Sequence, residues 1–164
     1  MSQAIIAGPK ASLEHAYSLM VQFIKVCPED IWSENFGGWP VWQQAYHALG
    51  SLQFMTLQEN GTPEAGLYPP EVNMFQSTPD KPPTQEDVLK YGARMKAKSD
   101  AYINALQDAD LPDINRNLTT QMKAHGINHE FSHSQTLTML SGHIFYHLGA
   151  CDAALRERAL KGVF

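Results

Sequence analysis

His143 and His147 stand four residues apart in a stretch without proline. On a helix, at about 100° per residue, they share one arc with Thr136, Leu137, Leu140, Ile144, Leu148, Cys151, Ala154 and Leu155. Two imidazoles one turn apart point the same way and can share one cation. The alternative is a pair of core histidines bonded to other polar groups. Burying two neutral imidazoles without partners is costly, and a metal ion solves the problem for both. A third ligand must come from another helix, and His47 is the candidate. It lies off the main apolar stripe of its own helix, near the edge of a second arc with Tyr46, Gly50 and Phe54. That position fits a surface or partly buried histidine equally well. Three neutral imidazoles on a divalent cation leave a coordination position open, the pattern of a catalytic rather than a structural zinc site.

A rival constellation is His129-Glu130-Phe131-Ser132-His133, a literal HExxH. On a helix this places two histidines on zinc and uses the glutamate as general base of a hydrolase. The setting is poor: Gly126 and Asn128 precede it, and Ser132 and Ser134 interrupt it and follow it. Glu157, a conceivable downstream ligand, lies between Arg156 and Arg158. A loop or helix-start cluster describes His125, His129 and His133 better, and His15 reads as a surface residue. A di-iron carboxylate centre would want Glu-x-x-His, but Leu140 stands three residues before His143. Cys151, one turn beyond His147, reads as core packing or as a thiol near the metal. Trp32, Trp39 and Trp42 either line a pocket mouth or pack structurally at a helix start.

The elements that must position these residues are marked out by the ten prolines, since proline inside a helix costs about 3 kcal/mol. Four long proline-free windows remain, 10–27, 41–62, 84–111 and 113–164. Each carries apolar residues at three- and four-residue spacing. The first has Leu13, Ala16, Tyr17, Met20, Ile24 and Cys27. The second has Val41, Ala45, Ala48, Leu49, Leu52 and Met55, with Tyr46, Phe54 and Leu57 opposite, so it is expected to be buried on more than one face. Asn60-Gly61 reads as its stop. The third opens on Thr84-Gln85-Glu86-Asp87, a capping-box-like start, with Val88, Tyr91, Met95, Tyr102 and Leu106 inward and Lys90, Arg94, Lys96 and Lys98 outward. The last helix is expected from about Ser134 to Leu160. Residues 60–83 hold six of the ten prolines and form a long crossover, and a short helix is expected near Leu118–Lys123. Strand signals are weak. The expected fold is all-α, a four-helix bundle with a long crossover between helices two and three, in one domain spanning 1–164.

Composition narrows the partners. With 17 acidic and 12 basic residues the net charge is −5, without the basic excess a nucleic-acid binder needs. No apolar run approaches the roughly 18 residues of a membrane span, and MSQAIIAGPK does not read as a signal peptide. Two cysteines suit a reduced, cytoplasmic protein.

The segment GHIFYHLGACDAALRER resembles the last-helix motif of the DinB/YfiT-like superfamily, with His143, His147, Gly149, Leu155 and Arg156 in the motif positions. Trp39-Pro40-Val41 followed by His47 resembles that family's helix-two pattern. The resemblance implies a bundle in up-down-down-up order and a metal site at His47, His143 and His147. It also implies a metal-dependent enzyme acting on a small molecule, since family members include thiol S-transferases. The cofactor would be a divalent ion, zinc or nickel, with a low-molecular-weight thiol as cosubstrate. The electrophile would sit in a pocket near Trp39, Tyr46, Tyr146 and Cys151. A non-catalytic, metal-stabilised homodimeric module is the alternative, with Ser141, Gly142, Gly149 and Ala150 giving a smooth helix face. One departure stands out: many members carry an acid four residues before the first histidine, and this chain has Gln43. Its absence removes a possible carboxylate or general base from beside the metal.

Overall fold

A computed structural model describes residues 2–58 and 61–164. The long helices are α1 (Ala7–Val26), α3 (Val41–Thr56), α5 (Gln85–Ala105) and α7 (His133–Glu157). Shorter ones are α2 (Glu29–Trp32), α4 (Pro70–Asn73) and α6 (Arg116–Ala124). The long helices form an all-α bundle in which α3 packs between α5 and α7, and α1 closes the ring against α7 and α5. Side-chain pairs give the directions. Tyr46 meets Tyr91 near the starts of α3 and α5, so these two run parallel. His47 meets His143, and Cys151 reaches the Val41 carbonyl, so α3 and α7 are antiparallel. Gln85 donates to Ile24 O while Lys10 reaches Asn104, so α1 opposes α5. The order is up-down-down-up, and the parallel α3–α5 pair requires the crossover.

The apolar stripes are where their spacing puts them. The arc residues of α7 from Thr136 to Leu155 are buried except His143, which is half-buried, and Leu13, Ala16, Met20 and Ile24 on α1 are buried too. Burial of α3 extends nearly all round, because α5, α7 and the crossover cover different faces of it. Thr84 caps α5 by accepting from the Asp87 amide, and Ser132 and Gln135 form a full capping box that starts α7. The short α6 covers the expected 118–123. Of the expected helix stop at Asn60-Gly61, Asn60 lies outside the described residues; α3 ends at Thr56. Among the described residues no helix is long and apolar enough to cross a membrane.

Three local expectations are corrected. Phe36 and Trp39 pair across Gly37-Gly38 in a minimal hairpin, β1 (Asn35–Phe36) with β2 (Trp39–Pro40). Both glycines have positive φ, 64° and 95°, as a tight two-residue turn demands. Lys96, expected on the wet side of α5, is 7% exposed, its ammonium held 2.7 Å from both Glu14 and Asp100. The last helix stops at Glu157 rather than Leu160. There Leu160 N–H donates to Leu155 O and Ala159 N–H to Arg156 O, a Schellman closure with Ala159 at φ 56°. Glycine is the residue that adopts this conformation without steric cost. Ala159→Gly is therefore expected to raise stability by up to about 1 kcal/mol, read from urea unfolding midpoints. A loss of stability would show that Ala159 does not hold that conformation in solution.

Candidate metal centre

The antiparallel pairing of α3 and α7 brings His47 against His143 and His147. The three ring centroids form a nearly equilateral triangle of 4.9, 4.7 and 4.8 Å. One nitrogen from each ring lies within 4.8 Å of the others, a group that could hold a metal ion. Their rings are nevertheless largely removed from water, and His147 is 5% exposed.

Proton accounting describes what these rings can do. His47 Nδ1 faces the backbone carbonyl of Asn73, which can only accept, so Nδ1 carries the proton and Nε2 presents a lone pair. His143 Nε2 lies 2.9 Å from that lone pair. Without an ion it must donate; with one, both nitrogens offer lone pairs to the same point. Nδ1 of His147 is buried with no hydrogen-bond partner. Such orphans are rare in folded proteins. The donor set and the unsatisfied ring therefore fit a divalent ion taken by neutral imidazoles. Burial pushes all three pKa values down. His143 falls to about 4 and His147 to about 3, with the neighbouring imidazoles adding to the effect, while the Asn73 carbonyl partly offsets it at His47.

The crossover supplies the rest of the site. Gln43 is fully buried and donates from Nε2 to Val72 O (2.7 Å) and Ser77 O (2.8 Å), while its Oε1 accepts from the Thr78 hydroxyl (2.7 Å). It points at the crossover, so an ionised carboxylate there would face two carbonyl oxygens. The segment it pins contains Asn73 and Phe75. After α4, Gln76 N–H closes on Glu71 O, which leaves Phe75 at φ 57°, a conformation that costs a non-glycine residue about 1–2 kcal/mol. Its ring packs 4.4 Å from His47, 5.8 Å from His147 and 5.0 Å from Trp39. Asn73 and Phe75 lie in the proline-rich crossover, where no periodicity marks them. The aromatic in a polar stretch was the one available signal.

The remaining candidates are placed as follows. Trp39 stacks on Phe75 and so borders the cluster from the hairpin. Tyr146 is 76% exposed beside His147. Tyr46 is buried and faces away from the triad, toward Tyr91 and Tyr68. Cys151 is completely buried, and burial pushes its thiol pKa far up. Trp32 donates to Pro83 O and, like Trp42, is buried structurally. The HExxH stretch does not form a helix: residues 127–131 are irregular and His133 is the first residue of α7. His133 bonds the Tyr102 hydroxyl and His129 the Gln135 side chain, so the two do not converge on one ion. His125 caps the end of α6, and His15 is exposed on α1.

The fold is an all-α, crossover-linked bundle in which three histidines from its second and last long helices converge as a group that could hold a metal ion. The model of the DinB superfamily matches residues 12–151, and the chain belongs to that family. Neither the curated proteins nor the solved structures contain a significant match.

Two outcomes are expected. Gln43→Glu places a carboxylate where two carbonyls need a donor and should lower stability by about 2–3 kcal/mol at pH 7. Part of this should return in acid as the carboxyl protonates; an unchanged urea midpoint would refute the clamp. For protein stripped of metal, the histidines of the unfolded chain titrate near 6.5, above the folded values. Unfolding then takes up protons, so stability is intact above pH 6.5 and falls as pH drops from there toward 4. His143→Gln/His147→Gln should flatten that slope.

Proposed function

We propose that His47, His143 and His147 bind one divalent ion, zinc or nickel, and that the protein is a metal-dependent enzyme acting on small molecules, of the thiol S-transferase type. The observation that carries this reading is the convergence of three neutral imidazoles, His147 buried with an unsatisfied ring nitrogen and His47 and His143 half-buried beside it. Three protein ligands leave a position open, and an ion there would supply the Lewis acidity that converts a bound thiol to thiolate near neutral pH. The chain's own groups would do the remaining work. Asn73 O fixes the His47 tautomer, and Phe75 and Trp39 cover one side of the cluster. The exposed Tyr146 ring marks the side from which an electrophile and a low-molecular-weight thiol would arrive.

Elemental analysis of untagged protein tests the first half. About one ion per chain is expected in the wild type and a loss of most of it in each of His47→Ala, His143→Ala and His147→Ala. Retention of full metal by any one of them removes that residue from the ligand set. The second half predicts that metal-loaded protein consumes small thiols across a panel of electrophiles and that chelation stops it. If no thiol is consumed, the transferase reading fails while the metal site stands.

A second reading, a homodimeric module without catalysis, is favoured by one face of α7. Gly142, Tyr146 and Gly149 share an exposed stripe, and a Cβ added at either glycine would meet nothing within 4 Å. On this reading Gly149→Arg converts a dimer to a monomer in sedimentation velocity without changing metal content.

A further inference from the structure

Phe75 carries an apolar ring that the bundle does not use. Among the described residues it does not join the cluster of side chains that fills the core. Its aromatic neighbours are His47 at 4.4 Å, His147 at 5.8 Å and Trp39 at 5.0 Å between ring centroids. Trp39 stands outside the core as well and backs Phe75 from the hairpin. The ring therefore lies on two of the three imidazoles that converge for an ion, and not on the packing that holds the helices together.

The backbone keeps it there against its preference. A φ of 57° is a left-handed conformation that glycine or asparagine takes readily and phenylalanine does not. Such conformations persist only where the surroundings over-determine them. Here Gln43 ties Val72 O and Ser77 O to α3 on either side of Phe75, and Gln76 N–H closes on Glu71 O around it. The same short segment presents Asn73 O to Nδ1 of His47. One edge of the His47 ring is thus taken by a carbonyl, and Phe75 packs beside it. Glycine or asparagine would complete this turn with less strain, so the turn does not account for a phenylalanine. The place of its ring does.

We infer that Phe75 is the shield of the metal site, a positioning residue whose ring shuts water and competing ligands out on the His47–His147 flank, so that a bound ion keeps a single open position. This inference rests on the metal reading above. The apolar surroundings of a metal site govern solvent access to it, and the groups that support the ligands account for roughly 10–100-fold in affinity. An ion held by three imidazoles and open on a further side can take a fifth ligand. Each added ligand offers a route by which the ion leaves.

The test uses the full chain loaded with zinc or with cobalt(II), as wild type and with three substitutions. Phe75→Asn suits the backbone and removes the apolar ring, whereas Phe75→Leu keeps an apolar side chain at the same backbone strain. Zinc release into excess chelator is expected to be about tenfold faster in Phe75→Asn than in the wild type, and within about twofold of it in Phe75→Leu. The cobalt form reports coordination. Its visible bands should be intense in the wild type and in Phe75→Leu, as for a four-coordinate ion, and weaker in Phe75→Asn as a fifth ligand enters. Phe75→Gly, which adopts this φ freely, is expected to follow Phe75→Asn and serves if that variant does not fold. If Phe75 only closed the turn, the asparagine and glycine variants would release zinc no faster than the wild type. That result, or one cobalt spectrum shared by all four proteins, overturns the shield while the metal site stands. Failure of the wild type to hold either ion overturns the metal reading and the shield together.

Discussion

Gln43 gives both amide hydrogens to carbonyl oxygens of the crossover, and the orientation of the His47 ring in the cluster depends on the segment that those two bonds hold. Val72 and Ser77 are fixed to α3 by them, and the residues between have little freedom left. Asn73 then presents its carbonyl to His47, which settles which ring nitrogen carries the proton. Phe75 is forced over the rings in a backbone conformation it would not choose. Were the amide replaced by a group that cannot donate, two buried carbonyls would lose their partners together, and the least costly response would be for the crossover to lift. His47 would keep its place on the helix and lose its orientation.

The topology explains why a crossover is available for this task. Antiparallel α3 and α7 put His47 opposite His143 and His147, but the parallel α3 and α5 oblige the chain to travel back along the whole bundle between them. That return passage must satisfy its backbone somewhere. It does so on α3, through Gln43, Gln53 and Tyr46, and in doing so it covers the one helix face that α5 and α7 leave open. The segment demanded by the fold thus becomes one wall of the histidine cluster.

What could be read from the chain's letters follows the same division. The helices were legible because prolines bracket them and because period 3.6 survives in α1, α5 and α7. The pair His143 and His147 was legible for the same reason, lying on an arc whose other residues are all buried. His47 was ambiguous on its wheel because α3 is buried nearly all round and has no wet side to define an orientation. Only the family motif separated it from a surface residue. Asn73 was invisible, since its hold on His47 is made by a backbone carbonyl that any residue carries. Gln43 was noticed as a missing acid, but its partners lie some thirty residues away in an aperiodic segment, so its donor role could not be inferred. The Gly37-Gly38 turn was too short to leave a strand pattern. Lys96 departs from the general habit of lysine because, besides Asp100 one turn on, it has a second counter-charge in Glu14 on another helix, which spacing along α5 does not reveal.

His47 and His143 are 96 residues apart in sequence. An unfolded chain keeps only the local pair on α7, so any ion that takes all three nitrogens distinguishes the native state sharply from the rest of the ensemble. Ligation of that kind adds RT ln(1 + [L]/Kd) to the folding free energy, with little offset from binding to the unfolded chain. The concentration of free metal around the protein then becomes a term in its folding equilibrium. A shortage would lower the folded population, and with it resistance to proteolysis, before any question of turnover arises.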